Sequence, residues 1–158
     1  TANYFQFPLD KKQLKKHLRN TKGSKPECLI FKVVSTSNGK AIGHIELDRI
    51  DRQAKKASVC RVLIGDETLR GKGICKMMME KILNISFNQL GLEKVFLNVM
   101  DYNVAAINCY KKVGFSIERL IEQSCHIGNK YLNSYRMSLS VDRWRNFQTD
   151  VSTENMTL

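Results

Sequence analysis

The stretch Thr68-Leu69-Arg70-Gly71-Lys72-Gly73-Ile74-Cys75 constrains this chain more than any other. Ahead of it, Ala57 to Ile64 (ASVCRVLI) reads as a buried strand. Behind it, Ile74, Met77, Met78, Ile82, Ile85 and Leu90 fall at helical spacing. A strand, a turn holding two glycines and a helix N-terminus aim backbone N–H groups and the positive end of a helix dipole at one spot. Such a spot takes a phosphate. Glycine matters there because a residue without a Cβ lets the main chain close around an anion. The plain alternative is a solvated basic turn before an ordinary helix. The spacing fits neither G-x-x-x-x-G-K-[ST] nor G-x-G-x-x-G, which argues against a nucleoside triphosphatase loop and a dinucleotide fold.

With 158 residues, 42% of them hydrophobic and 26% charged, the chain has the makings of one globular domain with a real core. No apolar run nears the ~20 residues of a membrane span. The opening residues, TANYFQFPLD, do not read as a signal peptide, so the expected location is cytoplasmic and no membrane contact is expected. Five cysteines (Cys28, Cys60, Cys75, Cys109 and Cys125) show no C-x-x-C pair and read as reduced thiols. The histidines His17, His44 and His126 are isolated in sequence, so no metal site is expected. Net charge is +11, and much of it lies in Lys11, Lys12, Lys15, Lys16, Arg19, Lys22 and Lys25, with no acid among them. That cluster reads first as a solvated helix face; its functional reading is an anionic cofactor or macromolecule, RNA or the ribosome included.

Leu9 to about Asn20 reads as a helix, with Asp10 near its start. Cys28–Val34, Ala41–Ile50 and Ala57–Ile64 read as three strands of an antiparallel meander, the first two joined at Asn38-Gly39. Gly43 reads as a point of close packing or a bulge. Gly91 ends the long helix. Glu93–Met100 is a fourth strand, Asn103–Val113 a helix, and Phe115–His126 with Tyr131–Val141 a closing hairpin across Gly128-Asn129. The expected fold class is α/β (α+β), a mixed and mostly antiparallel sheet flanked by helices. One domain is expected over residues 1–147. A disordered tail is expected over 148–158, because the chain from Phe147 onward carries little apolar content.

A second motif spans Asn103 to Phe115: N-x-x-A-x-x-x-Y-x-x-x-G-F, carried by Asn103, Ala106, Tyr110, Gly114 and Phe115. Together with Arg70-x-x-Gly73-x-Cys75 it resembles the GNAT superfamily of N-acetyltransferases, where glycine or alanine usually stands in place of Cys75. The likeness runs from about Phe7 to Trp144. The Ile42–Glu46 strand and the closing hairpin look most like the branch that acetylates ribosomal-protein N-termini and spermidine. Family members usually begin with a further strand and helix, and this chain reads as starting after them, with truncation, replacement or disorder of those parts as the alternatives.

The resemblance implies acetyl-CoA as cosubstrate. It implies that its pyrophosphate rests on the backbone of Arg70, Gly71, Lys72, Gly73, Ile74 and Cys75, and its pantetheine arm along Val62, Leu63 and Ile64. Asn103 and Ala106 then adjoin the cofactor, and Tyr110 protonates the departing thiolate. A phenol of ordinary pKa, near ~10, keeps its proton at neutral pH and so can act as an acid. The general base reads as Glu46 first, then Asp48 or His44, with a solvated edge carboxylate as the plain alternative for the acids. Asn98 faces the same region but is no base, and Cys109 reads as a core residue. The implied reaction is direct transfer of acetyl to a primary amine. A small-molecule amine is favoured over a protein N-terminus, since a basic surface says little about a pocket. A homodimer is a further expectation. The competing reading is a non-catalytic module that binds acyl-CoA or RNA.

Overall fold

The structure, a computed structural model, describes residues 10–19, 21–127 and 130–154. Helix α1 (Lys11–Arg19) opens it, capped by the Asp10 carboxylate, which accepts from the Gln13 N–H at 2.7 Å. Strands β1 (Leu29–Val34), β2 (Ala41–Asp51) and β3 (Lys56–Ile64) follow as the expected meander. Gly39 sits at φ 69° in the turn between β1 and β2, where Asn38 Oδ1 accepts from the Lys40 N–H. Helix α2 (Ile74–Asn84) crosses to β4 (Lys94–Met100), then come α3 (Val104–Lys112), β5 (Ser116–Ile127), β6 (Lys130–Ser140) and α4 (Val141–Glu154).

The six strands form one sheet in the order β1-β2-β3-β4-β6-β5, antiparallel at every pairing but β3 with β4. That one parallel pair needs a crossover, which α2 supplies. Ile45 and Leu47 of β2 meet Met78, Met79, Ile82 and Leu83 of α2 in the core, and Ile107 and Tyr110 of α3 join them. Gly43 is a close approach, as expected: a Cβ there would lie 2.8 Å from the Leu63 carbonyl oxygen. The turn at Gly128-Asn129, and the expected absence of an earlier strand and helix before about Phe7, lie outside the described residues.

Three expectations are corrected. The tail is not disordered at its start, since α4 continues to Glu154. Val141, Trp144 and Phe147 recur every third residue, and Trp144 is buried against Phe87 with ring centroids 5.1 Å apart. That stripe, thin in composition, is enough to dock a helix. Second, Cys75 and Cys109 are not thiols but a disulfide joining the first turn of α2 to the last turn of α3. Third, Gly91 does stop the long helix, at φ 64°, but the last turns before it are not the plain α-helix the spacing suggested. The helix ends in a π-helical turn, Ile85–Gln89, where the Leu90 N–H reaches the Ile85 carbonyl and the buried Ser86 hydroxyl bonds back to Ile82.

Candidate active site

The parallel ladder between β3 and β4 lasts only three pairs, from Lys56 opposite Lys94 to Ser58 opposite Phe96. Beyond them the strands part. The cause is local to β3: one extra residue stands there opposite His44–Glu46, and Arg61 takes φ 50°. A left-handed conformation costs a non-glycine residue about 1–2 kcal/mol. What holds it is the Arg61 side chain, whose guanidinium pairs with the Glu46 carboxylate and lies 3.6 Å from Asp48 Oδ2. The bulge turns β3 away from β4 and opens a cleft of about 450 Å³.

The cleft lies at the carboxyl ends of the two parallel strands, where open α/β sheets bind ligands. His44, Arg61, Val62, Leu63, Asn98, Asn103 and Tyr110 all line it. Tyr110 is only 7% exposed, and burial pushes its phenol up to about 12. Asn103 caps α3 as expected, its Oδ1 accepting from the Ala106 N–H at 3.2 Å. Ala106 itself packs against the core. A larger hollow of about 730 Å³ opens near the other end of the parallel pair, between Lys56, Lys94 and Arg145, and gathers none of the expected site residues.

From the end of β3 the chain passes through a short 3-10 turn, Glu67–Leu69, into the glycine turn. Gly71 and Gly73 stand at φ 76° and 79°, and a Cβ on either would meet nothing within 4 Å. Gly73 is the N-cap of α2, and no side chain caps that end. The first-turn N–H groups of an uncapped helix are therefore open to an anion, and the open surface over both glycines leaves room for a pyrophosphate. Arg70 pairs with Glu67 at 2.9 Å on the surface. Of the other expected contacts, Ile64 is not among the cleft-lining residues, and Ile74 lines a separate apolar groove between α2 and the β1–β2 edge.

Glu46, the first candidate for the base, does not sit on an open strand face. It is not a solvated strand carboxylate: it is 2% exposed and does not line the cleft. The reason is α1, which lays His17 over the polar face of β2. Glu46 Oε2 receives His17 Nε2 at 2.9 Å, Oε1 receives His44 Nε2 at 2.7 Å, and Arg61 closes the group. Burial alone would raise the Glu46 carboxyl, but the hydrogen bonds from Arg61 and His44, with the Arg61 and His17 charges, hold it below the usual range. Two of the three histidines that read as isolated, His17 and His44, thus converge on one acid. His17, Cys28 and Glu46 also offer ligand atoms within 4.8 Å of one another. The Arg61 cation on that same carboxylate opposes a metal ion there. Sequence reasoning missed Arg61 and His17. The signal for Arg61 was a charge inside a strand read as buried, which demands a partner.

Known proteins give the same picture. The model of the Acetyltransferase (GNAT) family matches residues 2–115. The spermidine N(1)-acetyltransferase of Escherichia coli K12 is 30% identical over 102 residues, 65% of this chain, which spans only about half (54%) of that relative's length. An L-amino acid N-acetyltransferase of the same organism is 25% identical over 109 residues, covering 69% of this chain and 67% of the relative. The crystal structure of spermidine N-acetyltransferase from Vibrio cholerae in complex with CoA and spermine superposes with a TM-score of 0.78 at 24% identity, covering 90% of this chain and 83% of that one. At that identity the likeness speaks for the fold. With the family model spanning well over half of its residues, this chain belongs to the GNAT acetyltransferase family.

Proposed function

We propose that the chain transfers an acetyl group directly from acetyl-CoA to a primary amine, and that the amine is a small molecule. The observation that carries this reading is the pairing of a buried phenol with an open strand gap: Tyr110 lines the cleft between β3 and β4, close in the fold to the uncapped start of α2. In this reading acetyl-CoA supplies the activated acyl group. The backbone from Arg70 to Cys75 holds its pyrophosphate, Val62 and Leu63 offer main-chain partners to its amide-bearing arm, and Asn103 closes the far wall. Tyr110 stands as the proton donor for the leaving sulfur. The names of the relatives favour a small amine such as spermidine or an amino acid.

The test is release of free CoA thiol with a panel of amines. Tyr110→Phe is expected to lower kcat by about 10²–10³, within the usual range for a general acid, while binding of CoA stays within twofold. Because burial holds the phenol near 12, the acid stays loaded through the alkaline assay range, and no decline traceable to it is expected below about pH 11. An unchanged kcat in Tyr110→Phe would remove the phenol from the reaction.

Two further readings concern setting. Among the described residues no helix is long and apolar enough to cross a membrane, and the reaction's acyl donor favours work in the cytoplasm. The exposed basic face formed by Lys11, Lys12, Lys15, Lys16 and Arg19 of α1 favours contact with an anionic macromolecule such as RNA. Self-association is a third reading, supported by a Vibrio cholerae spermidine N-acetyltransferase structure described as dodecameric.

A further inference from the structure

We propose that His44 is the base that unloads the acceptor ammonium, and that buried Glu46 is the positioning residue that makes it one; this rests on the acetyl-transfer reading above. An alkylamine with a pKa near ~10.4 is only about one part in a thousand neutral at pH 7.4, and only the neutral form attacks a carbonyl. Something at the acceptor side must take the proton. Among the cleft-lining side chains Arg61 is permanently charged, and Asn98 and Asn103 are not bases. Burial pushes Tyr110 and Cys60 up to about 12, so both keep their protons. His44 remains, its side chain 36% exposed and lining the cleft.

The tautomer follows from Glu46. A carboxylate held ionised by Arg61 only accepts, so the His44 Nε2 that sits 2.7 Å from Oε1 must carry the hydrogen. The lone pair is then on Nδ1, which has no hydrogen-bond partner among the described residues. Glu46 also balances the positive charge the ring acquires on taking a proton, the office a buried acid performs for an imidazole base. The charged and titratable groups around the ring come from every neighbouring element. Lys32 stands opposite on β1; Glu46 and Asp48 share its strand; Cys60 and Arg61 come from β3, Tyr110 from α3, and His17 of α1 reaches the same carboxylate. Arg61 is held by Glu46 and Asp48, and Lys32 is exposed to solvent.

The protons balance as follows. His44 Nδ1 takes one proton from the ammonium and passes it to solvent. The freed nitrogen bonds to the acetyl carbon as the carbon–sulfur bond breaks. Tyr110 gives its proton to the sulfur and is refilled by the second proton the nitrogen sheds, leaving an amide, a thiol and one proton in solution.

The experiment compares wild type with His44→Gln on primary amines of falling basicity: spermidine, ethanolamine, glycine amide and trifluoroethylamine. If His44 is the base, kcat/KM falls about 100-fold for the most basic amine and by less than about fivefold for the least, which is already neutral at pH 7.4. The KM for acetyl-CoA and the thermal midpoint stay unchanged. An equal loss across the series, or no loss, overturns the proposal, as does a loss that appears only in the KM for acetyl-CoA. Wild type releasing no CoA thiol with any amine would overturn the acetyl-transfer reading itself, and that outcome is read without the variant.

Discussion

Glu46 shows how one side chain can be misjudged from its neighbours in sequence. In the alternation His44, Glu46, Asp48 it reads as a candidate base on a polar strand face, or else as a solvated carboxylate; in the fold it is buried beneath His17 and clamped by Arg61. Removing one partner of a buried ion pair costs about 3–5 kcal/mol, because the other charge is left uncompensated. Glu46→Gln is therefore expected to destabilise the fold by about that amount, measured by urea unfolding at pH 7. The pH dependence has a definite sign. The folded Glu46 carboxyl titrates below the ordinary range of an unfolded glutamate, so its contribution is complete above that range and is lost as pH falls through the lower folded value. Wild type should weaken as pH falls below the ordinary carboxylate range, and Glu46→Gln should not share that part of the decline. The Asn103 cap and the position of Tyr110 on the same helix were legible because both follow from spacing within one local segment. Arg61 and His17 were not, because their partners lie far away in sequence, beyond the reach of any local pattern.

Among the elements, most were legible: α1, all six strands, the crossover helix and the Asn103-capped helix stand where periodicity and turn residues put them. Helix α4 was not, because its apolar stripe occupies one face of an otherwise polar segment, and only the Trp144–Phe87 contact shows that the face is used. The π-helical end of α2 left no pattern either. Nor did the disulfide between α2 and α3, since thirty-four residues separate its cysteines and spacing alone gives no pairing. Closing a loop of that size stabilises a fold by about 2–4 kcal/mol. Dithiothreitol is accordingly expected to lower the urea midpoint and to raise the titratable thiol count by two. Cys109→Ala should be insensitive to the reductant in both measurements.

For the whole molecule, net charge is legible in composition and its placement only partly so. The formal +11 is concentrated enough on α1 to make an electrostatic face, whereas the charge of Arg61 is spent inside on Glu46. If the basic face meets RNA, binding should weaken steeply and linearly in log salt, and reversing Lys12 and Lys16 to Glu should flatten that slope. Retained affinity at high salt would point to a different contact. The β3–β4 gap has one more consequence. Unpaired backbone at the rim of a sheet invites any passing strand and so risks aggregation. Here the bare amides are interior, with three strands on one side and three on the other, and they face a cleft of about 450 Å³. What lies bare in this gap is thus sheltered from the pairing that an open sheet edge would invite.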